Sequence, residues 1–226
     1  MNIWSMRERS IVWLKDELSE ASELIQQGFE FHNRCIELLR RIGDSDGETP
    51  IGKFGRICTI TLAKSCTLLL GCYSLCLDGL AQESGALFRP LIETYELLVY
   101  FRQDMSRVDE AIEGRLPTAG IIGKRISGDY QDLRDYLSKN SSHFNFQIGS
   151  VRHLFDGNVQ VRPLPSYGLE VLKANLLVVN AFQIFTVFEA VNCLIAVDID
   201  TSGLETLVDK WRKRSLTVFT NNNIEA

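Results

Sequence analysis

The sequence has few residues that hold metals or perform acid–base chemistry at neutral pH. It contains only three histidines, at positions 32, 143 and 153, and no Glu-x-x-His motif. Its six cysteines, at positions 35, 58, 66, 72, 76 and 193, form no Cys-x-x-Cys pair. Structural zinc sites and di-metal carboxylate bundles use such motifs. We therefore expect no metal site and no cofactor, and we interpret the cysteines as reduced, buried apolar residues.

The sequence also lacks an excess of positive charge. The formal net charge at pH 7 is −5, whereas proteins that bind a nucleic-acid backbone without sequence preference carry clustered lysines and arginines. The one dense basic run, Lys210-Trp-Arg-Lys-Arg214, is typical of a last helical turn, where cations stabilise the negative end of the helix dipole. We therefore do not expect a nucleic-acid partner.

Standard catalytic motifs are missing as well. The one Gly-x-Ser-x-Gly match, Gly43-Asp-Ser-Asp-Gly47, lies in a stretch with the composition of a loop between predicted helices, without the strand that precedes a nucleophile elbow. The chain has no complete Gly-x-x-x-x-Gly-Lys-Ser/Thr phosphate loop. It also has no Gly-x-Gly-x-x-Gly turn of the kind that binds dinucleotides. These absences favour a protein that is not an enzyme.

Nothing near the N-terminus has the pattern of a signal peptide, because charges are distributed throughout the first twenty residues. Two later stretches, 57–77 and 176–197, each contain a single charged residue, Lys64 and Glu189, and reach the length of a membrane span. Both also carry hydroxyl or amide side chains, which are costly at mid-membrane. We expect these stretches to be buried central helices of a cytoplasmic protein without a membrane partner.

Apolar residues recur with the helical period of 3.6 residues along most of the chain. This pattern predicts an all-α fold, a single-domain bundle of six to eight helices over residues 1–220. Gly28 is expected to break or bend the first helical stretch, 5–42, and Gly79 to end the helix 54–78. Further helices are expected at 81–104, 106–114, 121–139, 169–199 and 201–217. Residues 141–168 predict one long irregular segment, and the tail 221–226 is predicted to be disordered.

The stretch LFRPLIETYELLVYF, residues 87–101, places charges inside an apolar run. On a helical wheel its apolar residues share one face, and Arg89, Glu93, Glu96 and Tyr100 share the opposite face. Arg89 and Glu93 are i,i+4 neighbours, and an exposed pair of this kind contributes about 0.2–0.5 kcal/mol. Two interpretations stay open: a solvated ion pair, or a pair that a neighbouring helix covers and that lines a polar cleft.

His143 is the most informative of the three histidines. It lies where the predicted helix containing Arg134 gives way to the irregular segment. It is either a structural histidine or a member of a polar cleft with Arg89, Glu93 or Arg134. Those four residues, Arg89, Glu93, Arg134 and His143, form the candidate site, to which no catalytic role is assigned.

The segment LLLGCYSLCLDGLAQESGALFRPLIETYELLVYFRQD, residues 68–104, resembles bacterial helical proteins of unknown function. In those proteins a helix, a Gly-Leu turn, a small-residue segment and an Arg-x-x-x-Glu helix follow in this order. The resemblance extends loosely to DYLSKNSSHFNF, residues 135–146. Some of these families are similar to the HEPN superfamily, whose helical domains include ribonucleases of toxin and antiviral systems. The resemblance thus implies a bacterial defence or stress system.

The catalytic signature of that superfamily is an arginine followed four to six residues later by a histidine, and this sequence departs from it. Arg134 precedes His143 by nine residues, and Arg152 is adjacent to His153. We therefore expect a non-enzymatic module that binds a partner protein or its own copy. The alternative is a HEPN-like ribonuclease or nucleotide-handling enzyme with a non-standard site.

Two apolar helices are harder to cover within one small bundle than a single one. The two stretches with one charge each therefore predict a homodimer, since two-fold pairing is the commonest way to bury a surplus apolar face. Aromatic residues near the N-terminus are candidate anchors, namely Trp4, Trp13, Phe29 and Phe31.

Overall fold

The structure, a computed structural model, describes residues 4–128, 130–137 and 168–220, and all the regular secondary structure in these residues is helical. The predicted all-α class is confirmed. Nine α-helices lie in this part of the chain, eight of them with seven or more residues. Their bounds are α1 Ser5–Lys15, α2 Ser19–Asp46, α3 Pro50–Leu77, α4 Ala81–Gln103, α5 Val108–Ile112, α6 Ala119–Arg125, α7 Gln131–Leu137, α8 Leu169–Ile195 and α9 Ser202–Thr220, with a 3₁₀ turn at Met105–Arg107.

Local sequence signals set the ends of α3. Thr49 is its N-cap, and the Thr49 hydroxyl accepts a hydrogen bond of 3.1 Å from the backbone N–H of Gly52. Pro50 occupies the first helical position, where its missing N–H costs nothing. Past the other end, Gly79 adopts a φ of 75°, which favours glycine. The predicted stop at Gly79 is therefore confirmed, whereas the helix begins four residues before the predicted Phe54.

Gly28 was expected to break or bend the first helical stretch, and it does not break it. Helix α2 runs through Gly28, and the interruption of the N-terminal helical stretch lies at residues 16–18 instead. Gly28 is buried where α8 approaches α2, and a Cβ atom there would collide with the side-chain amide of Gln183. The glycine therefore serves a close helix–helix contact.

Helix α8 packs against α2, α3 and α4, and α9 packs against α2 and α8. The core between them contains large side chains from every long helix, among them Leu24, Phe54, Leu69, Leu91, Leu172 and Phe219. By length and composition, α3 and α8 could each cross a membrane. Apolar core helices of soluble proteins have the same composition, so this finding alone is weak evidence for a membrane location.

Four polar residues of α8 are buried, and three of them, Gln183, Thr186 and Glu189, have partners on neighbouring helices. Gln183 donates from Nε2 to the carbonyl of Ile25 at 3.0 Å. Thr186 contacts His32 through Oγ1 and Nε2, which are 2.7 Å apart. Glu189, 5% exposed at its side chain, is paired with Arg102. These three side chains thus have partners on α2 or α4, whereas Asn180 Nδ2 and Gln183 Oε1 are buried without a hydrogen-bond partner among the described residues.

Several predicted features lie outside the described residues. The irregular segment 141–168 is described only at Gly168, the extended residue that precedes α8. His143 and the tail 221–226 also belong to the undescribed part. Of the helix predicted at 121–139, the structure describes α6 and α7, which the residues from Ile126 to Tyr130 separate.

All six cysteines are buried and free. Burial raises the pKa of both Cys35 and Cys72 to about 12 and that of Cys76 to about 11. The pKa of Cys193 is raised by a hydrogen bond with Cys58 and by burial. The reactive thiolate forms of these four side chains are therefore scarce at neutral pH.

We expect the native protein to resist a polyethylene-glycol maleimide at pH 7, and all six thiols to react after unfolding in guanidinium chloride. The mass shift on a denaturing gel counts the modified cysteines. Rapid labelling of several thiols in the folded protein would contradict the assigned burial.

A chelator is expected to leave Tm unchanged, and a lower Tm would indicate a bound metal.

His32 predicts a pH dependence of stability. Its Nδ1 lies 2.8 Å from the carbonyl of Gly28, and burial lowers the pKa of the imidazole to about 4. Because the unfolded chain binds this proton near pH 6.5 and the folded chain does not, the free energy of unfolding should fall as the pH drops from about 6.5 to 4. The contribution of His32 over this range is about 3 kcal/mol.

Urea unfolding of the wild type and of His32→Gln at several pH values measures this contribution. We expect the stability difference between the two proteins to narrow as the pH decreases, because glutamine does not titrate. A difference that is constant from pH 7 to pH 4.5 would contradict the neutral, buried state of His32.

Candidate functional site

Within the described part of the chain, the polar face of α4 is covered only over its C-terminal half. Glu96 and Tyr100 are buried, with 1% and 0% exposure, and helices α6 and α7 lie against α4. At the other end, Arg89 and Glu93 form an ion pair in which Nε and Oε1 are 3.4 Å apart, with side chains 41% and 33% exposed. The Arg89–Glu93 pair is therefore half exposed, and the covered part of the face begins one turn later.

The buried ion pair of this region joins Glu96 to Arg134, whose side chains are 1% and 6% exposed. Arg134 donates from Nη1 to Oε2 of Glu96 and from Nη2 to Oε1 of Gln131, the second bond at 2.7 Å. The guanidinium packs directly against Gly123, where a Cβ atom would overlap it. Helices α4, α6 and α7 thus meet around one arginine.

Glu96 is only half satisfied within the described residues. Its Oε2 accepts from Arg134, but its Oε1 is buried without a hydrogen-bond partner. Burial raises the pKa of the Glu96 carboxyl, Arg134 opposes that effect, and the charge of Glu93 adds to it. A buried carboxylate oxygen without a donor is costly, so it marks the surroundings of Glu96 as a place where a ligand donor would stabilise the protein.

A cavity of about 310 Å³ lies next to this oxygen. The residues lining it are Tyr95, Val99, Ile126, Ser127, Gly128 and Tyr130. A Cβ atom at Gly128 would come within 3.2 Å of Glu96 Oε1, so the oxygen lies directly behind this part of the wall. Ser127 has a φ of 55°, an uncommon and strained conformation for serine. Such conformations occur preferentially where a backbone shapes a functional site.

A second buried carboxylate lies beside Tyr95. Arg102 donates from Nε to Oε1 of Glu189, and Asn192 donates from Nδ2 to Oε2 at 3.3 Å. Burial and the negative charge of Glu189 raise the pKa of the Tyr95 phenol to about 12. The tyrosine is therefore a neutral hydroxyl at physiological pH.

The sequence prediction located the polar region on the correct helix, but Glu96, the partner of Arg134, was not among its candidate site residues. Arg134 reaches α4, as expected, and pairs there with Glu96. Arg89 and Glu93 pair with each other at the open end, and His143 lies outside the described residues. Glu189 and Arg102 were not predicted, although a lone charge within an apolar helix is a signal for a buried pair.

Residues 47–53, GETPIGK, have the glycine and lysine spacing of a phosphate loop. The stretch connects α2 to α3, and buried Phe54 stands in place of the motif's hydroxyl residue. The Lys53 ammonium lies 3.0 Å from Oδ1 of Asp109. A phosphate loop follows a strand and ends in Ser or Thr, so this match is coincidental. Within the described ranges, no three His, Cys, Asp or Glu side chains are grouped as metal ligands.

Removing the arginine side chain from each of the two ion pairs of α4 should lower the free energy of unfolding by different amounts. Arg134→Ala should lower the free energy of unfolding by about 3–5 kcal/mol, because it leaves the Glu96 carboxylate buried and unpaired. Arg89→Ala should cost less than about 1 kcal/mol, since water solvates Glu93. Chemical denaturation of both variants measures the losses.

The double variant Glu96→Leu/Arg134→Leu is the control for the buried pair. Its stability should recover most of the loss, because no uncompensated charge remains. Equal losses for Arg134→Ala and Arg89→Ala would contradict the assigned difference in burial.

The chain was compared with family models, characterised proteins and solved structures. No family model matches it, and neither a characterised protein nor a solved structure shows significant similarity to it. Arguments about function therefore rest on its own residues.

Proposed function

We propose that this protein is a non-enzymatic cytoplasmic module that associates with a second copy of itself through helix α8. A partner protein with a similar helix could use the same surface. The further suggestion of a bacterial defence or stress system rests only on the resemblance of residues 68–104 and is secondary to the proposed association.

The observation that carries this proposal is an uncharged stripe along the outer face of α8. Eight residues follow one another at alternating spacings of three and four, namely Val171, Ala174, Val178, Ala181, Phe185, Phe188, Asn192 and Ile195. The four large residues Val171, Val178, Phe185 and Ile195 are each 40–45% exposed. This outer stripe covers more than three heptads.

A spacing of 3.5 residues is what a helix needs in order to remain in contact with a second helix along its length. No residue of the outer stripe is charged, so an oppositely charged partner is not required. Asn192 lies one heptad after Phe185 and two heptads after Val178, so the three residues occupy equivalent positions on the helix. A single asparagine at such a position is a common determinant of register and oligomeric state. These features favour an identical helix as the partner.

The sequence alone did not reveal this stripe, because the buried face of α8 is equally apolar. In the sequence the two faces merge into one run from Leu176 to Val197 without a visible heptad period. The stripe becomes distinct only when the buried residues, such as Leu176, Val187 and Leu194, are assigned to the core.

We expect light scattering at micromolar concentrations to give a mass of about 51 kDa, twice the chain mass of 25.6 kDa. Val178→Asp should shift this mass toward that of the monomer, since it places a carboxylate in the contact between the two α8 helices. The matched control is Ile60→Asp on α3, which changes the most exposed large apolar residue of the other long apolar helix, 65% exposed.

Circular dichroism should show unchanged helicity for both variants. A concentration-independent mass of 26 kDa for the wild type would overturn the proposal, and dissociation by Ile60→Asp alone would move the interface to α3. A requirement for detergent to keep the wild type in solution would favour lipid as the cover of α8. RNA or nucleotide turnover by the pure protein, abolished by Arg89→Ala, would favour the enzymatic alternative instead.

A further inference from the structure

The cavity beside α4 has the size and lining of a small-molecule site. Ligand pockets typically have volumes of about 300–1,000 Å³ and combine apolar walls with a few polar groups. This cavity, at about 310 Å³, lies at the small end of that range. Its walls are apolar at Val99 and Ile126, and Ser127 and two tyrosines add polar atoms.

Aromatic rings form one side of the cavity. The rings of Tyr95 and Tyr130 meet almost at a right angle, with centroids 5.7 Å apart and planes at 85°. Phe185 contacts both, with centroid distances of 6.3 and 6.4 Å. Faces of aromatic rings attract cations through the ring quadrupole, which is the physical basis of aromatic sites for organic ammonium groups.

The polar chemistry near the cavity favours a donor. Glu96 Oε1 is buried without a hydrogen-bond partner among the described residues, and it lies close to Gly128, a residue of the cavity wall. Glu189, the second buried acid, lies near Tyr95, where its charge acts on the phenol. Both carboxylates are paired with arginines, so the preference rests on the unsatisfied Glu96 oxygen, which an anion or a purely apolar molecule would leave without a donor. An ammonium or amidinium group can donate to it.

We propose that this cavity binds a small organic cation, with its apolar body against Tyr95, Val99 and Tyr130 and its N–H groups directed past Gly128 toward Glu96. The site is independent of the association proposed for α8. It requires no reaction and no metal, only recognition of a positive charge beside an aromatic wall.

Gly128 offers a direct test. Its backbone does not lie in the left-handed region, so alanine is compatible with its conformation. The added methyl group would lie 3.2 Å from Glu96 Oε1 and 3.4 Å from Ile126, so it would occupy the space that a ligand donor needs beside the oxygen. Gly120 in α6 is the matched control, because a Cβ atom there meets nothing within 4 Å.

The probes are benzylammonium, benzyl alcohol and benzoate, which share a ring and differ in charge. An NMR titration of the full chain should give saturable binding of benzylammonium with a dissociation constant of about 1 mM or below, a reasonable affinity for so small a ligand. Benzyl alcohol should bind at least tenfold more weakly, and benzoate should not saturate. Gly128→Ala should weaken benzylammonium binding at least tenfold, and Gly120→Ala should leave it unchanged.

Equal binding of benzylammonium and benzyl alcohol would overturn the proposal, as would unchanged binding to Gly128→Ala or no saturation of the wild type up to about 10 mM. If Gly128→Ala fails to fold, Val99→Leu is the second test. The larger side chain on α4 reduces the cavity volume, so it should cause the same loss of benzylammonium binding. The monomer–dimer equilibrium is measured separately, so failure of this site and failure of the α8 interface are distinguishable.

Discussion

The rotation of helix α8 about its own axis is the constraint on which the rest of the structure depends. This helix is apolar on nearly every side, so hydrophobic burial alone does not choose which residues face inward. Gln183, Thr186 and Glu189 make that choice, because each is buried and has a partner on α2 or α4. A rotated helix would leave these polar groups buried without partners, at a cost of about 1–3 kcal/mol for each neutral group and more for the carboxylate.

Inward placement of these three residues determines what the outer surface presents. The residues on the far side of α8 are the uncharged stripe from Val171 to Ile195. Phe185 belongs to this stripe and also contacts Tyr95 and Tyr130 of the cavity wall. A second copy on α8 would therefore lie next to the proposed cation site. Any effect of ligand binding on association must therefore be matched by an equal effect of association on ligand binding.

Much of the fold could be predicted from the sequence, because helical periodicity and the turn at Gly79 are local signals. Contacts between helices were harder to predict. Glycine commonly interrupts helices, but Gly28 lies within α2, where its missing side chain leaves room for Gln183, a residue distant in the sequence. Arg89 and Glu93 have ideal spacing for a pair, yet the buried pair uses Glu96 and Arg134, because only the later turns of α4 are covered by α6 and α7. Coverage by a distant segment leaves no local signal.

Helix α8 is proposed to meet its own copy along the outer stripe. The six native cysteines are buried, so a spin label on Lys173→Cys, which lies beside the stripe, marks α8 alone. Pulsed dipolar spectroscopy of the labelled protein should give one inter-label distance, about 20 Å for parallel helices or about 35 Å for antiparallel helices, from the helical rise and the usual spacing of packed helices. An absence of dipolar coupling, or a distance beyond about 50 Å, would contradict the claim.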